Sequence, residues 1–285
     1  MTELGIALAL ACAATANVGM LCKHRGARET PEIRFRHPLR SGVALFRSRW
    51  WAIGFAVATL AWLFHIAAMA LAPLSTVQAV VAAGIVLLAY PAQRWFGHRL
   101  GRREWAGLGL AAVGLGFLAV TLPAADSDAG YSVTGLVAFE FAAIGAGVAL
   151  LVSGSVRQTG PGHALALGTA SGLLIGVSNV AIKALTEIVP SDALALLGPW
   201  TLVAALAGAG AFFALARGMQ LGEAIPVIAT ASVGANCSAI LGGVIVFGDP
   251  IGSDVIEGIA RGLAFIAVIA AAALMPTPHR TARAT

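Results

Sequence analysis

The sequence predicts an all-α polytopic membrane protein: one transmembrane domain, residues 1–285, of about nine transmembrane helices in an inverted repeat arranged four, one, four. Three observations predict it. Hydrophobic residues make up 59% of the chain and Asp, Glu, Lys and Arg only 11%, whereas a soluble protein has about 25% charged residues with which to build a wet surface. Apolar runs long enough to cross roughly 30 Å of hydrocarbon recur along the chain. Lys and Arg gather on alternate connections between those runs.

A mean hydropathy of +0.87 excludes a soluble enzyme and a disordered chain. The positive balance, 18 Lys and Arg against 13 Asp and Glu, then refers to a lipid bilayer rather than to nucleic acid. Cys12, Cys22 and Cys237 lie in apolar stretches, so no disulfide framework is expected.

The apolar runs fall at 3–22, 50–71, 74–92, 104–122, 134–153, 163–184, 196–217, 223–247 and 254–275. Their connections are short except for 23–49, and none is long enough to fold as a separate catalytic or binding domain. The first run has Glu3 and no Lys or Arg ahead of it, where a secretory signal carries positive charge, so it reads as a helix of the mature protein. Segment 36–49 sets Leu39, Val43 and Phe46 at helical spacing among Arg36, Arg40, Arg47 and Arg49. An arginine at the centre of a crossing costs about 2.5–3.5 kcal/mol, so this segment is expected to be an amphipathic helix on the membrane surface.

Segment 23–49 holds eight Lys and Arg and segment 93–103 holds four, while Arg157, Arg217, Arg280 and Arg283 mark the other connections and the tail on that side. The opposite connections hold Asp126, Asp128, Glu187, Asp192 and Asp249 and no Lys or Arg. The positive-inside rule therefore puts the amino terminus outside and the carboxyl terminus in the cytoplasm of a multi-pass plasma-membrane protein. Trp50, Trp51, Trp95 and Trp105 stand at the cytoplasmic ends, where an interfacial belt is expected.

The second half echoes the first. A shift of 150 residues superposes Trp50 on Trp200, Met69 on Met219, Leu71 on Leu221, Val77 on Val227 and Gly84 on Gly234. A shift of 151 places Phe96 and Gly97 on Phe247 and Gly248, and a shift of 160 pairs Lys23 with Lys183. Residues 1–122 form a first repeat of four helices, 134–153 an unpaired helix, and 163–275 a second repeat of four. Five spans separate the partners, so the two units cross in opposite senses. Secondary transporters are built this way, with sites between the repeats near the bilayer midplane.

Several stretches carry a family resemblance. They are the Lys-ended first helix over 11–23, the Trp50-Trp51 start of the second, and the third running from Ala72-Pro73 to the basic turn at 94–103. In the second unit they are Ser171-Gly172 through Asn179 to Lys183, Met219-Gln220-x-Gly222, and Phe247-Gly248-Asp249. Together they resemble the drug/metabolite transporter (EamA-like) superfamily and, within it, the branch related to NIPA-type magnesium transporters. The resemblance covers nearly the whole chain and implies transport. The superfamily's common pattern is ten helices as five plus five, and four plus one plus four fits the NIPA-like branch better.

Candidate site residues follow from polar groups in apolar helices. Gly168, Gly172, Gly176, Asn179 and Lys183 share one narrow face of the sixth helix. That face reads as a packing seam or as a cavity wall ending in an amide and an ammonium, and Glu187 is an alternative partner for Lys183. Glu140 lies about 10 Å into the fifth helix, where a carboxylate is costly unless it is paired, protonated or facing a wet cavity. Glu140 and Lys183 are expected to face one central cavity. His65 is a candidate proton relay or a hydrogen-bonded core residue. Gln220, Asn236 and Gln78 are candidate cavity linings or helix–helix contacts. Glu257 and Arg261, four apart in the favourable order, read as a structural ion pair. Pro226 either breaks the eighth helix or is an early-turn proline.

Other chemistry is absent from the pattern. There is no Gly-x-x-x-x-Gly-Lys-Ser/Thr, His-Glu-x-x-His or Cys-x-x-Cys, and Gly114-x-Gly116-x-x-Ala119 is mid-helix with no preceding strand. No enzyme, resident metal, cofactor or nucleic-acid partner is expected. The expected partners are the bilayer and a small-molecule or cation substrate, and the chain is compatible with a homodimer. A small organic solute carried by alternating access is the first functional expectation. A carrier or channel for Mg²⁺ or a similar ion is the second, and a non-transporting scaffold the third.

Overall fold

The computed structural model describes residues 2–71, 80–81, 84–95, 101–121, 131–156, 161–188, 193–248 and 255–273. Its helices are α1 (Thr2–Glu29), α2 (Pro38–Arg47), α3 (Arg49–Leu71), α4 (Ala89–Arg94), α5 (Arg102–Thr121), α6 (Val133–Val156), α7 (Pro161–Ile188), α8 (Pro199–Leu221), α9 (Ala224–Phe247) and α10 (Val255–Ala273). Short 3₁₀ turns at Gly84–Leu88 and Ala193–Leu197 complete it, and there is no strand among the described residues. Five described helical stretches are long and apolar enough to cross a membrane: Glu3–Glu29, Val133–Val152, Gly162–Leu185, Pro199–Leu221 and Ala224–Phe247. The chain is a polytopic, all-helical membrane protein. Of the expected third span, 74–92, residues 74–79 (Gln78 among them), 82 and 83 lie outside the described residues, and 84–92 forms the Gly84–Leu88 3₁₀ turn and the start of α4.

Helix ends follow their local chemistry. Pro38 and Pro199 open α2 and α8, where a missing N–H leaves nothing unsatisfied. Gly248, with φ of 68°, closes α9 in the left-handed conformation that glycine adopts without strain. Pro226 lies in the first turn of α9, which runs unbroken to Phe247. It is an early-turn proline, so the alternative of a broken helix is set aside.

Two glycine seams organise the packing. On α7, a methyl group added at Gly168 would sit 2.8 Å from the Val227 carbonyl oxygen, and one at Gly172 would strike the Ala231 carbonyl oxygen and lie 2.7 Å from the Ala235 nitrogen. Gly176 abuts Ser238, and from the α9 side a Cβ added at Gly234 would lie 2.9 Å from the Thr169 carbonyl oxygen. On α1 and α3, Gly19 and Gly54 face one another, with a Cβ at Gly54 reaching 2.7 Å from the Gly19 oxygen. Gly26 abuts the backbone of Trp51. Gly84 packs against Ala13, and a Cβ added at Gly234 would lie 3.4 Å from the Leu173 nitrogen. These are corresponding pairs under the shifts of 150 and 160 residues.

Trp51 differs from its expected place in an interfacial belt. It is 1% exposed and packs edge-on against Phe212, with ring centroids 5.5 Å apart. The bare Gly26 backbone admits α3 so closely to α1 that the indole is drawn into the core. Trp95 and Trp105 are exposed, as a belt requires. Glu257 and Arg261 form the expected ion pair at 3.3 Å, and Arg261 also donates to the Thr121 carbonyl, tying α10 to α5.

Gly172→Ala is expected to destabilise the protein by about 1–3 kcal/mol through overpacking against a backbone that cannot yield. Gly145→Ala, at a position with open space around it, is expected to raise stability by about 0.5–1 kcal/mol. Thermal unfolding in detergent measures both, and equal shifts would refute the seam.

Candidate functional site

α6 is apolar on all sides, so packing alone decides which face is inside. Leu136, Phe139, Glu140, Ala143 and Gly147 are buried, a single helical face, and α6 packs on α7 and α9. Glu140 is 3% exposed, while its neighbour Phe141, about 100° round the helix, is 78% exposed. Leu136, Phe139 and Ala143 share a core cluster with Leu174, Val177, Val180 and Phe247. Glu140 is thus set among apolar side chains. Neither of its oxygens has a hydrogen-bond partner among the described residues. A buried carboxylate in that position is unfavourable unless protonated or met by a ligand.

Lys183 approaches the same cluster from α7. It is half-buried, and its Nζ lies 3.9 Å from the centroid of the Phe247 ring, a cation–π contact. The two charges therefore flank one apolar cluster on neighbouring helices, with no bond joining them. Asn179, one turn before Lys183, is exposed. His65 is half-buried on α3, a helix that packs chiefly on α1.

Gln220 is engaged elsewhere. Its amide nitrogen donates to the carbonyls of Ala27 and Pro31 at 3.0 Å, and its oxygen accepts from the Ile33 N–H at 3.1 Å. Beside it Arg217 pairs with Glu32 at 2.6 Å, and buried His24 donates from Nε2 to the Gly222 carbonyl at 3.0 Å. These contacts form a polar clasp between the end of α1 with the segment after it and the end of α8. Asn236 bonds the Ser232 carbonyl of its own helix at 2.8 Å. His24 and Glu32 were not singled out by sequence reasoning, and Arg217 only as a charge on the cytoplasmic side, because a bond to a group some 190 residues away leaves no periodic trace.

Among the described residues no group of three or more His, Cys, Asp or Glu comes together. Among the described residues Glu140 is the one buried acid, and it offers a single carboxylate to whatever reaches it.

The chain is similar to a protein named as a probable magnesium transporter. Over 290 aligned residues it is 23% identical to the probable magnesium transporter NIPA9 of Arabidopsis thaliana, covering 98% of this chain and 83% of that protein. No family model and no solved structure matches. The likeness supports a NIPA-like transporter family and, with the apolar helices, a multi-pass membrane transporter.

Glu140→Leu is expected to raise the thermal unfolding temperature, because it removes an unsatisfied buried group whose cost is about 1–3 kcal/mol. A clear fall would show that the carboxylate has a stabilising partner.

Proposed function

We propose that this chain is a secondary transporter of a positively charged cargo, with Glu140 as the carboxylate that meets it inside the membrane. The observation that carries this reading is the burial of Glu140 with both oxygens unpartnered among the described residues. Charged groups inside membrane helices mark substrate and ion pathways. Mg²⁺ is the first cargo to test, because the similar plant protein is named a probable magnesium transporter. A small organic cation is the second. One acid without an oxygen-rich cluster among the described residues matches a single positive charge more closely than a dehydrated divalent ion.

Alternating access follows from the inverted repeat, with residues 1–122 rocking against 163–275. The equivalent packing of Gly84 and Gly234 supports that correspondence. In this cycle the clasp of His24, Gln220, Arg217 and Glu32 holds the cytoplasmic side shut and breaks when the cavity opens there. Lys183 stands beside the cluster as the like charge that cargo must displace or bypass. The amino terminus lies outside and the carboxyl terminus in the cytoplasm of the plasma membrane.

Flux into liposomes tests the proposal. Wild-type protein should move Mg²⁺ or a small amine, and Glu140→Gln should abolish or strongly reduce that flux while remaining monodisperse. Unchanged flux in Glu140→Gln would remove the site assignment. Gln220→Ala should loosen the clasp, so that in a variant keeping Cys22 as its only thiol, labelling by an impermeant maleimide rises severalfold. Unaltered labelling would mean that the clasp is no gate. Reporter fusions after Arg40 and after Asp128 should lie on opposite sides of the membrane, and the same side for both would remove the repeat.

A further inference from the structure

α2 forms within the segment expected to be an amphipathic surface helix. Ser41 and Leu45 face the protein, with Ser41 Oγ accepting from the Arg34 N–H at 3.1 Å. Leu39, Val43 and Phe46 are left exposed, Leu39 by 86%. Only Ser48 separates α2 from Arg49, where the apolar helix α3 begins, so α2 lies at the level where the chain enters the bilayer.

Two concavities flank this helix and share Leu39, Val43 and Arg47. The larger, about 920 Å³, lies between α2, the end of α1 and the start of α3, and carries Arg40, Arg47 and Arg49 beside Trp50. Its one acid, Glu29, is held by Arg25 at 3.1 Å. The three arginines are exposed, and none makes an ion pair or a side-chain hydrogen bond among the described residues. The smaller, about 650 Å³, is an apolar groove between α2 and α8, lined by Leu39, Val43, Phe46, Ala209 and Phe213. A pocket with three uncompensated guanidinium groups thus runs into a trough that presents almost no polar surface.

That pairing matches one chemistry, a phosphate ester carried on an acyl chain. Guanidinium forks bind phosphate oxygens in pairs, and the exposed Leu39, Val43 and Phe46 need an apolar cover that water does not provide. We infer that the α2 concavities form a binding site for an anionic phospholipid of the adjacent leaflet. The phosphate lies among Arg40, Arg47 and Arg49, and an acyl chain runs along Leu39, Val43 and Phe46 towards Phe213. Because α2 touches α3 and its groove reaches α8, the lipid bridges helices of both halves of the chain.

The test is a lipid titration of the purified, delipidated full-length protein, read by native mass spectrometry. Phosphatidylglycerol should bind more tightly than phosphatidylcholine with the same acyl chains. Each basic contact at a membrane surface is worth about fivefold in affinity, so the combined Arg40→Gln, Arg47→Gln and Arg49→Gln variant should lose about tenfold or more of this preference. Its binding of phosphatidylcholine should persist, which also shows that the variant is folded. Arg28→Gln, outside the cavity, should leave the preference intact. Glycerol phosphate should not displace the lipid. Three results would overturn the inference: equal binding of the two lipids by wild type, an undiminished preference in the triple variant, or displacement by glycerol phosphate, which would make this a site for free phosphate. No flux is measured, so the outcome bears on the lipid site and leaves the transport reading to its own assay.

Discussion

The contact on which this architecture depends is the meeting of bare backbones between α7 and α9. At Gly172 and Gly234 backbone lies against backbone, and the missing side chains of Gly168 and Gly176 make room for Thr230 and Ser238 of the facing helix. Lipid supplies no hydrophobic drive for two apolar helices to associate, so close van der Waals contact has to hold them together. Once they are joined, α7 and α9 make a groove in which α6 settles by its Leu136, Phe139, Ala143 and Gly147 face. The burial of Glu140 follows from that settling. The carboxylate is inside because its neighbours on the helix are the ones that fit.

Between the two halves of the chain, apolar packing of Trp51 on Phe212 and of Leu115 and Leu118 with Val268 is joined by polar contacts. The end of α1 meets the end of α8 through directional polar bonds: Gln220 to the turn after α1, Arg217 to Glu32, and His24 to a carbonyl. Inside each half the helices share apolar and backbone surfaces that change little without unfolding. The polar bonds between the ends of α1 and α8 are the part of this boundary suited to opening, because hydrogen bonds can be exchanged for water at small net cost.

What was legible in the sequence was whatever has a period or a fixed separation. The α2 helix, with Leu39, Val43 and Phe46 on its outer face, follows from spacing among arginines. The Glu257–Arg261 pair is a matter of four residues on one helix. Pro226 needed only the position of the helix start to be settled. Trp51 and Gln220 were not legible in this way. Trp51 is buried because Gly26, on another helix, lacks a side chain, and Gln220 is occupied by carbonyls beyond α1. Glu140 and Lys183 were recognisable as rare charges in apolar helices. That they flank a common apolar cluster without bonding depends on the relative rotation of α6 and α7, which no pattern in either helix specifies.

The adjacency of Glu140 and Phe141 limits how α6 can take part in any movement. One residue along a helix is a turn of about 100°, and here that turn separates a buried carboxylate from a ring facing outward. Rotating α6 about its own axis by one position would, in one sense, carry the carboxylate to where Phe141 now faces outward and, in the other, press the Phe141 ring into the carboxylate's place in the groove. Axial rotation is therefore closed to this helix. Tilting and sliding along the groove of α7 and α9 remain, and both keep the carboxylate aimed at the interior while changing which end of the groove lies open to it.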